Sequence, residues 1–421
     1  MRPPFFGWWI VGSAISMFAL QSATFGFVFG AYLLEVEDEF GWSKFAISTA
    51  YSVAQVSAGL AGPLQGWLID RYGPRAVARW GIVLFGASFM LLSTVNNLWL
   101  FYTAVLALSI GSNLSGFLTI NTSIANWFRE KRALAMGVGS TGLGVGGALA
   151  PLITWSLVTQ GWRPTAFASG VAILVIGLPL VQLLRKTPEE YGLLPDGASN
   201  ARAVGAPETP IDQSFTVGEA LRDRSFWLLS LGHGMALVSV FAIIVHFVPH
   251  LVDGNGWGTT SAQAMFALLT TASVVGQIGG GFLGDRFSKT RIAAYCMIGH
   301  FIALMILATA TSGLVIAAAA IIHGLSWGIR GPLMMAVRAD FFGTRHFGTI
   351  MGYSLAVVMV GTLVGPSFAG AMSDTFGDYR AAFLILGTAT GISSVFFVFA
   401  RKPSLPPRVQ KALRDQNTES E

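Results

Sequence analysis

Gly66-Trp67-Leu68-Ile69-Asp70-Arg71 closes one long apolar run, and Gly281-Phe282-Leu283-Gly284-Asp285-Arg286 closes another, 215 residues further on. Pro151 and Pro366 stand at the same offset of 215, as do Gly146 and Gly361. Trp162-Arg163 matches Tyr379-Arg380, and Asn126-Trp127-Phe128 matches Asp340-Phe341-Phe342, at nearly that spacing. One unit is therefore duplicated in the same orientation. Six apolar runs fill each copy. They lie near 8–34, 44–69, 76–95, 99–127, 133–157 and 163–184, then near 226–251, 260–284, 291–311, 314–337, 347–372 and 379–400. A helix needs about 20 apolar residues to cross a bilayer. The runs are too long for strands and show no alternation.

The expected fold is an all-α membrane protein: twelve transmembrane helices in two pseudo-symmetric six-helix bundles. The bundles cover 1–185 and 225–401, joined by a cytoplasmic linker at 186–224 and followed by a tail at 402–421. The linker holds Pro188, Pro195, Pro207 and Pro210 without an apolar period, so its middle reads as flexible. At its end, Thr216-Val217-Gly218-Glu219 has the pattern of a capping box that opens a short surface helix. The polar tail reads as disordered. Parallel repeats of this kind hold their solute near the bilayer midplane, between the copies.

Composition agrees. The 421 residues are 53% hydrophobic and 11% charged, against about 25% charged in an ordinary soluble domain. Fifty glycines suit close helix contact. Of the 26 Lys and Arg, only Lys44, Arg163 and Arg380 fall in loops on one side, and Arg330 lies inside a span. The rest collect on the other side, which the positive-inside rule makes cytoplasmic, with both termini there. The expected location is the cell membrane, a bacterial inner membrane.

Several function classes drop out. The cations behind the net charge of +5 are spread over short loops, so no nucleic-acid partner is expected. The single Cys296 excludes an intrachain disulfide and a cysteine-based metal site. No metal and no cofactor are expected. Trp8–Leu34 is too long for a cleavable signal and lacks the small-residue site. Gly137-Val138-Gly139-Ser140-Thr141-Gly142 satisfies a dinucleotide-binding pattern, but no strand precedes it, and it reads as helix packing. Asn121-Thr122-Ser123 fits a glycosylation acceptor but lies within a span. With no ligand cluster, nucleophile triad or acid pair, an enzyme is not expected.

The Gly-x-x-x-Asp-Arg loop after span two, continued as Tyr72-Gly73-Pro74-Arg75, resembles the signature of the major facilitator superfamily. The copy after span eight is degenerate, with Ser288 where the first has Pro74. Phe40-Gly41-Trp42-Ser43, Gly161-Trp162-Arg163 and Tyr191-Gly192-Leu193-Leu194-Pro195-Asp196-Gly197 resemble the bacterial monocarboxylate and oxalate–formate carrier branch. That resemblance implies a secondary carrier whose spans one, four, seven and ten line the cavity. The chain departs from it in one respect. Gln277, with Ser273 a turn earlier, stands where such carriers hold a carboxylate-binding arginine in span eight. The lysine that oxalate carriers hold in span eleven is absent from Gly348–Ala371.

Arg330 is the cation inside a span, where a charge costs roughly 2.5–3.5 kcal/mol or more. His323, Ser326, Trp327 and Arg330 follow the i, i+3, i+4, i+7 spacing of one helix face. A guanidinium grips a carboxylate through two parallel hydrogen bonds. His323 offers a further donor or a proton acceptor near neutral pH, and Trp327 a wall. The alternative for Arg330 is packing against backbone carbonyls. Further candidates for solute contact are Gln21, Asn113, Asn121, His246, Gln277 and Tyr353; each could instead be interhelical glue. His246 is the nearest match to a pocket histidine that the resemblance implies in span seven. His233 and His300 are weaker candidates, the latter because span nine is peripheral in the family.

Asp70 and Asp285, with Arg71, Arg75 and Arg286, are expected to gate. Pseudo-symmetry puts Asp70 near the N-terminus of span eleven and Asp285 near that of span five, where the helix dipole favours a carboxylate. No acid lies at mid-depth; Glu35 and Asp374 sit near outer span ends. The expected function is alternating-access transport of a small organic anion, a monocarboxylate first of all, by proton symport or anion exchange. It would be carried out by a monomer in the bilayer. Efflux of a hydrophobic compound and a non-transporting sensor are the competing readings.

Overall fold

The computed structural model describes residues 5–198 and 212–419. The linker's Pro207 and Pro210 lie outside them. Among the described residues there are helices and no strands. The chain groups into two units, Met1–Arg129 with Val138–Ala198, and Glu130–Gly137 with Ser199–Glu421.

In the first unit the helices are α1 (Gly7–Gln21), α2 (Phe29–Phe40), α3 (Lys44–Leu60), α4 (Gly62–Tyr72), α5 (Pro74–Leu92), α6 (Leu98–Ser115), α7 (Phe117–Trp127), α8 (Arg132–Ser140), α9 (Gly142–Gln160) and α10 (Trp162–Gln182). The start of α8 belongs to the second unit. There follow α11 (Val217–Arg222), α12 (Arg224–Pro249), α13 (Thr259–Arg286), α14 (Lys289–Thr309), α15 (Gly313–Phe342), α16 (Phe347–Phe376), α17 (Arg380–Ile392), α18 (Ser394–Phe399) and α19 (Pro407–Glu419).

Eleven helical segments among the described residues are long and apolar enough to cross a membrane. The remaining expected run, 44–69, is present in two pieces. α3 stops at Leu60, and α4 restarts with Pro63 in its first turn. Proline has no N–H to bond backwards, so it suits a restart and breaks a continuous helix. Span one is also interrupted, by a π-turn at Ser22–Gly26 between α1 and α2. Span four breaks at Gly116, whose φ of −98° and ψ of −140° leave the helical region. In the second unit α13, α15 and α16 run 28, 30 and 30 residues without a break. Between α4 and α5 the chain turns at Gly73, whose φ of +84° is a conformation that favours glycine.

The duplication read from the sequence is a duplication of packing. α1 lies against α9, as α12 lies against α16; α5 against α6, as α14 against α15; α5 against α10, as α14 against α17. The matched glycines explain the first pair of contacts. A Cβ on Gly146 would run into Ala19 and Ser22, and one on Gly361 would run into the backbone of Gly234. Outer surfaces are apolar: Leu152, Val175 and Ile392 are 60%, 67% and 67% exposed, as lipid-facing side chains are.

The capping box forms as expected. Thr216 Oγ1 accepts from the Glu219 amide at 3.3 Å, and Glu219 Oε2 accepts from the Thr216 amide at 2.8 Å. The tail departs from expectation. It is helical at Pro407–Glu419 rather than disordered. Arg408 explains it, donating to both Glu219 oxygens at 3.0 and 3.1 Å and to the Ser214 carbonyl at 2.5 Å, while Val409 is buried. A polar segment without a core of its own is ordered by docking on α11.

Candidate functional site

The second unit holds a polar cluster deep in its interior. α15 supplies His323, Ser326 and Arg330, all buried, with Arg330 fully inaccessible. α14 supplies Cys296 and His300, and α12 supplies His233, all buried. The charge of Arg330 acts on Cys296, His300, His323 and His233. His300 Nδ1 and His323 Nδ1 share a hydrogen bond at 3.2 Å. Ser326 Oγ packs on Gly299, which lets α14 approach α15 this closely. Arg330 Nε and Nη1 have no hydrogen-bond partner among the described residues, and neither do the Nε2 atoms of His300 and His323. Arg330 makes no ion pair among the described residues. Buried donors left unpaired are costly until something accepts from them.

Trp327, expected on the same face, is half-buried and packs on the bundle's apolar core instead. His300 was a weaker candidate because of its peripheral span, yet the structure brings it to His323. Arg338 was missed altogether. It is fully buried, donating to the carbonyls of Met334 at 2.5 Å and Leu229 at 3.0 Å. It directly follows the apolar run, so it was counted with the loop cations. The helix in fact continues to Phe342.

The other candidates in this unit stand apart. Gln277 lies where α13 crosses α15 at Gly328, with its Oε1 buried and without a hydrogen-bond partner among the described residues. His246 Nε2 is tied to the Pro366 carbonyl at 2.9 Å, and its ring lies 4.9 Å from that of Tyr379. That bond joins α12 to α16. Tyr353 is 39% exposed.

In the first unit, polar groups gather where span four breaks. Gln21 donates to Ser115 Oγ at 2.9 Å. Gln65, buried on α4 and not foreseen, donates to the Asn113 carbonyl at 2.6 Å and Thr119 Oγ1 at 3.3 Å. The exposed Asn113 side chain and the buried Asn121 side chain each bond a carbonyl of their own helix, Ser109 at 2.8 Å and Phe117 at 2.9 Å. Irregular backbone lined by side-chain amides is typical of transporter sites. The repeat makes this the counterpart of the Arg330 cluster: Ser115 and Arg330, like Gly116 and Gly331, are 215 residues apart.

The acidic motif is built as the dipole argument expects in the second copy. Asp285 Oδ1 accepts from the Ala133 amide at 2.8 Å and Oδ2 from the Leu134 amide at 2.9 Å, at the opening turn of α8. Beside it Asp340 bridges Arg132 and Lys289, the latter at 2.8 Å. These three residues were not foreseen, although Asp340 was visible as the counterpart of Asn126. Asp70 is half-buried in the last turn of α4. Arg71 lies over the Trp67 and Tyr72 rings, Arg75 donates to the Leu184 carbonyl at 2.7 Å, and Arg286 stacks on Phe282 at 3.8 Å.

The profile of the Major Facilitator Superfamily matches residues 5–329 and, again, 229–419. This chain belongs to the Major Facilitator Superfamily. It is a multi-pass membrane transporter and not an enzyme. Among curated relatives it is 27% identical to monocarboxylate transporter 13 of Rattus norvegicus over 395 residues, 92% of this chain and 87% of that one. It is 26% identical to the oxalate:formate antiporter of Oxalobacter formigenes over 395 residues, 91% and 88% of the two chains. Among solved structures, the proton:xylose symporter XylE superposes with a TM-score of 0.73 at 14% identity, covering 94% of this chain and 96% of that one. The human organic anion transporter MFSD10 does so with 0.68 at 16%, covering 94% and 100%. At such identities the structural likeness speaks for the superfamily fold alone.

Proposed function

We propose that this transporter carries a small organic anion, a monocarboxylate first of all, by alternating access, with Arg330 as the charge that holds it. The observation that carries this reading is the fully buried guanidinium, two of whose nitrogens have no hydrogen-bond partner, and which makes no ion pair, among the described residues. The names of the relatives, a monocarboxylate transporter and an oxalate:formate antiporter, support the substrate class. His323 sits beside Arg330 to donate a second hydrogen bond or to take a proton. Asp285, seated on the opening turn of α8, latches one end of the second unit in one state and lets go in the other; Asp70 does the same in the first copy. The Lys and Arg distribution orients both termini to the cytoplasm.

Purified transporter in proteoliposomes tests this with labelled acetate, lactate, pyruvate, formate and oxalate, beside xylose and a lipophilic cation. Uptake of one or more monocarboxylates is expected. Acceleration by an inward proton gradient indicates symport, and acceleration by a preloaded anion indicates exchange. Uptake confined to the sugar or the cation contradicts the reading.

A further inference from the structure

On the second unit, away from the Arg330 cluster, a cavity of about 610 Å³ opens at the ends of three spans. Its walls come from the start of α14, the end of α15, the end of α18 and the segment that follows it. Arg291, Arg401 and Lys402 converge there with the hydroxyls of Ser288 and Thr290. The neighbouring Lys289 is already held by Asp340 at 2.8 Å. None of the three converging cations makes an ion pair among the described residues, and no described carboxylate lines the cavity. Its volume lies within the range of ligand pockets, roughly 300–1,000 Å³.

The remaining wall is apolar and faces outward. Tyr295 is 74% exposed and Val398 61%. From Tyr295 the exposed stripe continues along α14 through Ile298 at 40% and Ile302 at 41%, residues three and seven positions on and so on one face. Val395 and Phe399 extend the exposed surface of α18, at 47% and 51%. A free phosphate would need the cations and hydroxyls but not this stripe. A phospholipid needs both, since its headgroup sits at the membrane surface and its acyl chains lie along apolar helix faces. Basic pockets between transmembrane helices are a known form of headgroup site.

We propose that this cavity is a binding site for an anionic phospholipid. Arg291, Arg401 and Lys402 hold the phosphate, the Ser288–Thr290 hydroxyl pair, hydrogen-bonded at 3.2 Å, donates its free proton to an oxygen, and the Tyr295–Ile302 stripe carries an acyl chain. Three spans meet at the site, so an occupying lipid staples α14, α15 and α18 together at that end.

The test uses the whole transporter in mixed micelles, with thermal stability as the readout. Phosphatidylglycerol is expected to raise Tm more than phosphatidylcholine does. The variant R291Q/R401Q/K402Q is expected to lose that preference, with phosphatidylglycerol affinity falling at least about tenfold, since each cation near an anionic lipid is worth about fivefold. The variant R79Q/R222Q/K411Q, with the same net charge, is expected to keep it. Should the triple variant fail to fold, R401Q alone, in the segment after α18, is expected to weaken the preference severalfold. Equal stabilisation of the wild type by both lipids overturns the proposal. So does a preference that survives R291Q/R401Q/K402Q, or R401Q where the triple variant does not fold. Equal stabilisation by soluble glycerol phosphate also overturns it, because the site would then take a free anion.

Discussion

Two arginines are buried in the same helix, and their hydrogen bonds separate them. Arg338 donates to two carbonyls, Met334 and Leu229, from different helices. Arg330 leaves Nε and Nη1 unused. An unsatisfied buried group costs about 1–3 kcal/mol. Arg338→Met loses two charge-assisted hydrogen bonds and is expected to destabilise by about 1–3 kcal/mol. Arg330→Met removes unpaired donors along with the charge, and replacing a buried charge by an apolar side chain is often neutral or stabilising. Thermal unfolding in detergent checks both: Tm should fall for Arg338→Met and hold or rise for Arg330→Met. The reverse order would make Arg330 a structural residue. The sequence exposed Arg330 because it interrupts an apolar run. It hid Arg338, one residue past the run, because hydropathy does not mark where a helix stops being buried. Nor does it reveal that His300 on a neighbouring span meets His323, a contact that depends on Gly299 admitting Ser326.

At the scale of elements, the Asp285 latch and the α19 dock make separate predictions. A carboxylate on the opening turn of a helix is worth about 0.3–1 kcal/mol, up to about 2. Asp285→Asn is expected to change turnover by about two- to fivefold while leaving the solute Kd within about twofold. Binding isotherms beside initial rates measure this, and a tenfold loss of affinity at unchanged turnover would contradict the latch. The Arg408 guanidinium holds the Glu219 carboxyl below the usual carboxylate range. A folded value below the unfolded one, about 4.3, means that the contact stabilises above that pH and is lost as pH falls through the folded value. Amide protection across Pro407–Glu419, taken against the intrinsic exchange rate at each pH, should be high at pH 7 and fall once pH drops below the unfolded value. Glu219→Gln should lower it at neutral pH. The capping box at Thr216 was legible because it is a local pattern. The tail helix was not, because its order comes from a contact 189 residues away in the chain.

For the whole molecule, the repeat was the most legible feature. Matched glycines at one offset foretold matched helix pairs, since a position that tolerates no Cβ in one copy tolerates none in the other. The breaks were less legible. Pro63 announces the interruption between α3 and α4, whereas nothing in the hydropathy of span four announces the break at Gly116. The proposed orientation rests on where Lys and Arg fall. Cys296 is buried, so a cysteine introduced at exposed Glu189 should be labelled by a membrane-impermeant thiol reagent from the cytoplasmic side alone. Labelling from outside whole cells would invert the topology.

Everything about the passenger turns on the guanidinium at position 330, and its removal is the most direct trial. Initial uptake of a monocarboxylate that the wild type carries should be measured in proteoliposomes for Arg330→Met and Arg330→Lys, each shown to be folded by Tm and gel filtration. Uptake reduced by about a hundredfold or more in Arg330→Met, and only partly restored in Arg330→Lys, is the expected result, because a lysine keeps the charge but not the two parallel hydrogen bonds. Wild-type uptake by a folded Arg330→Met transporter would contradict the account.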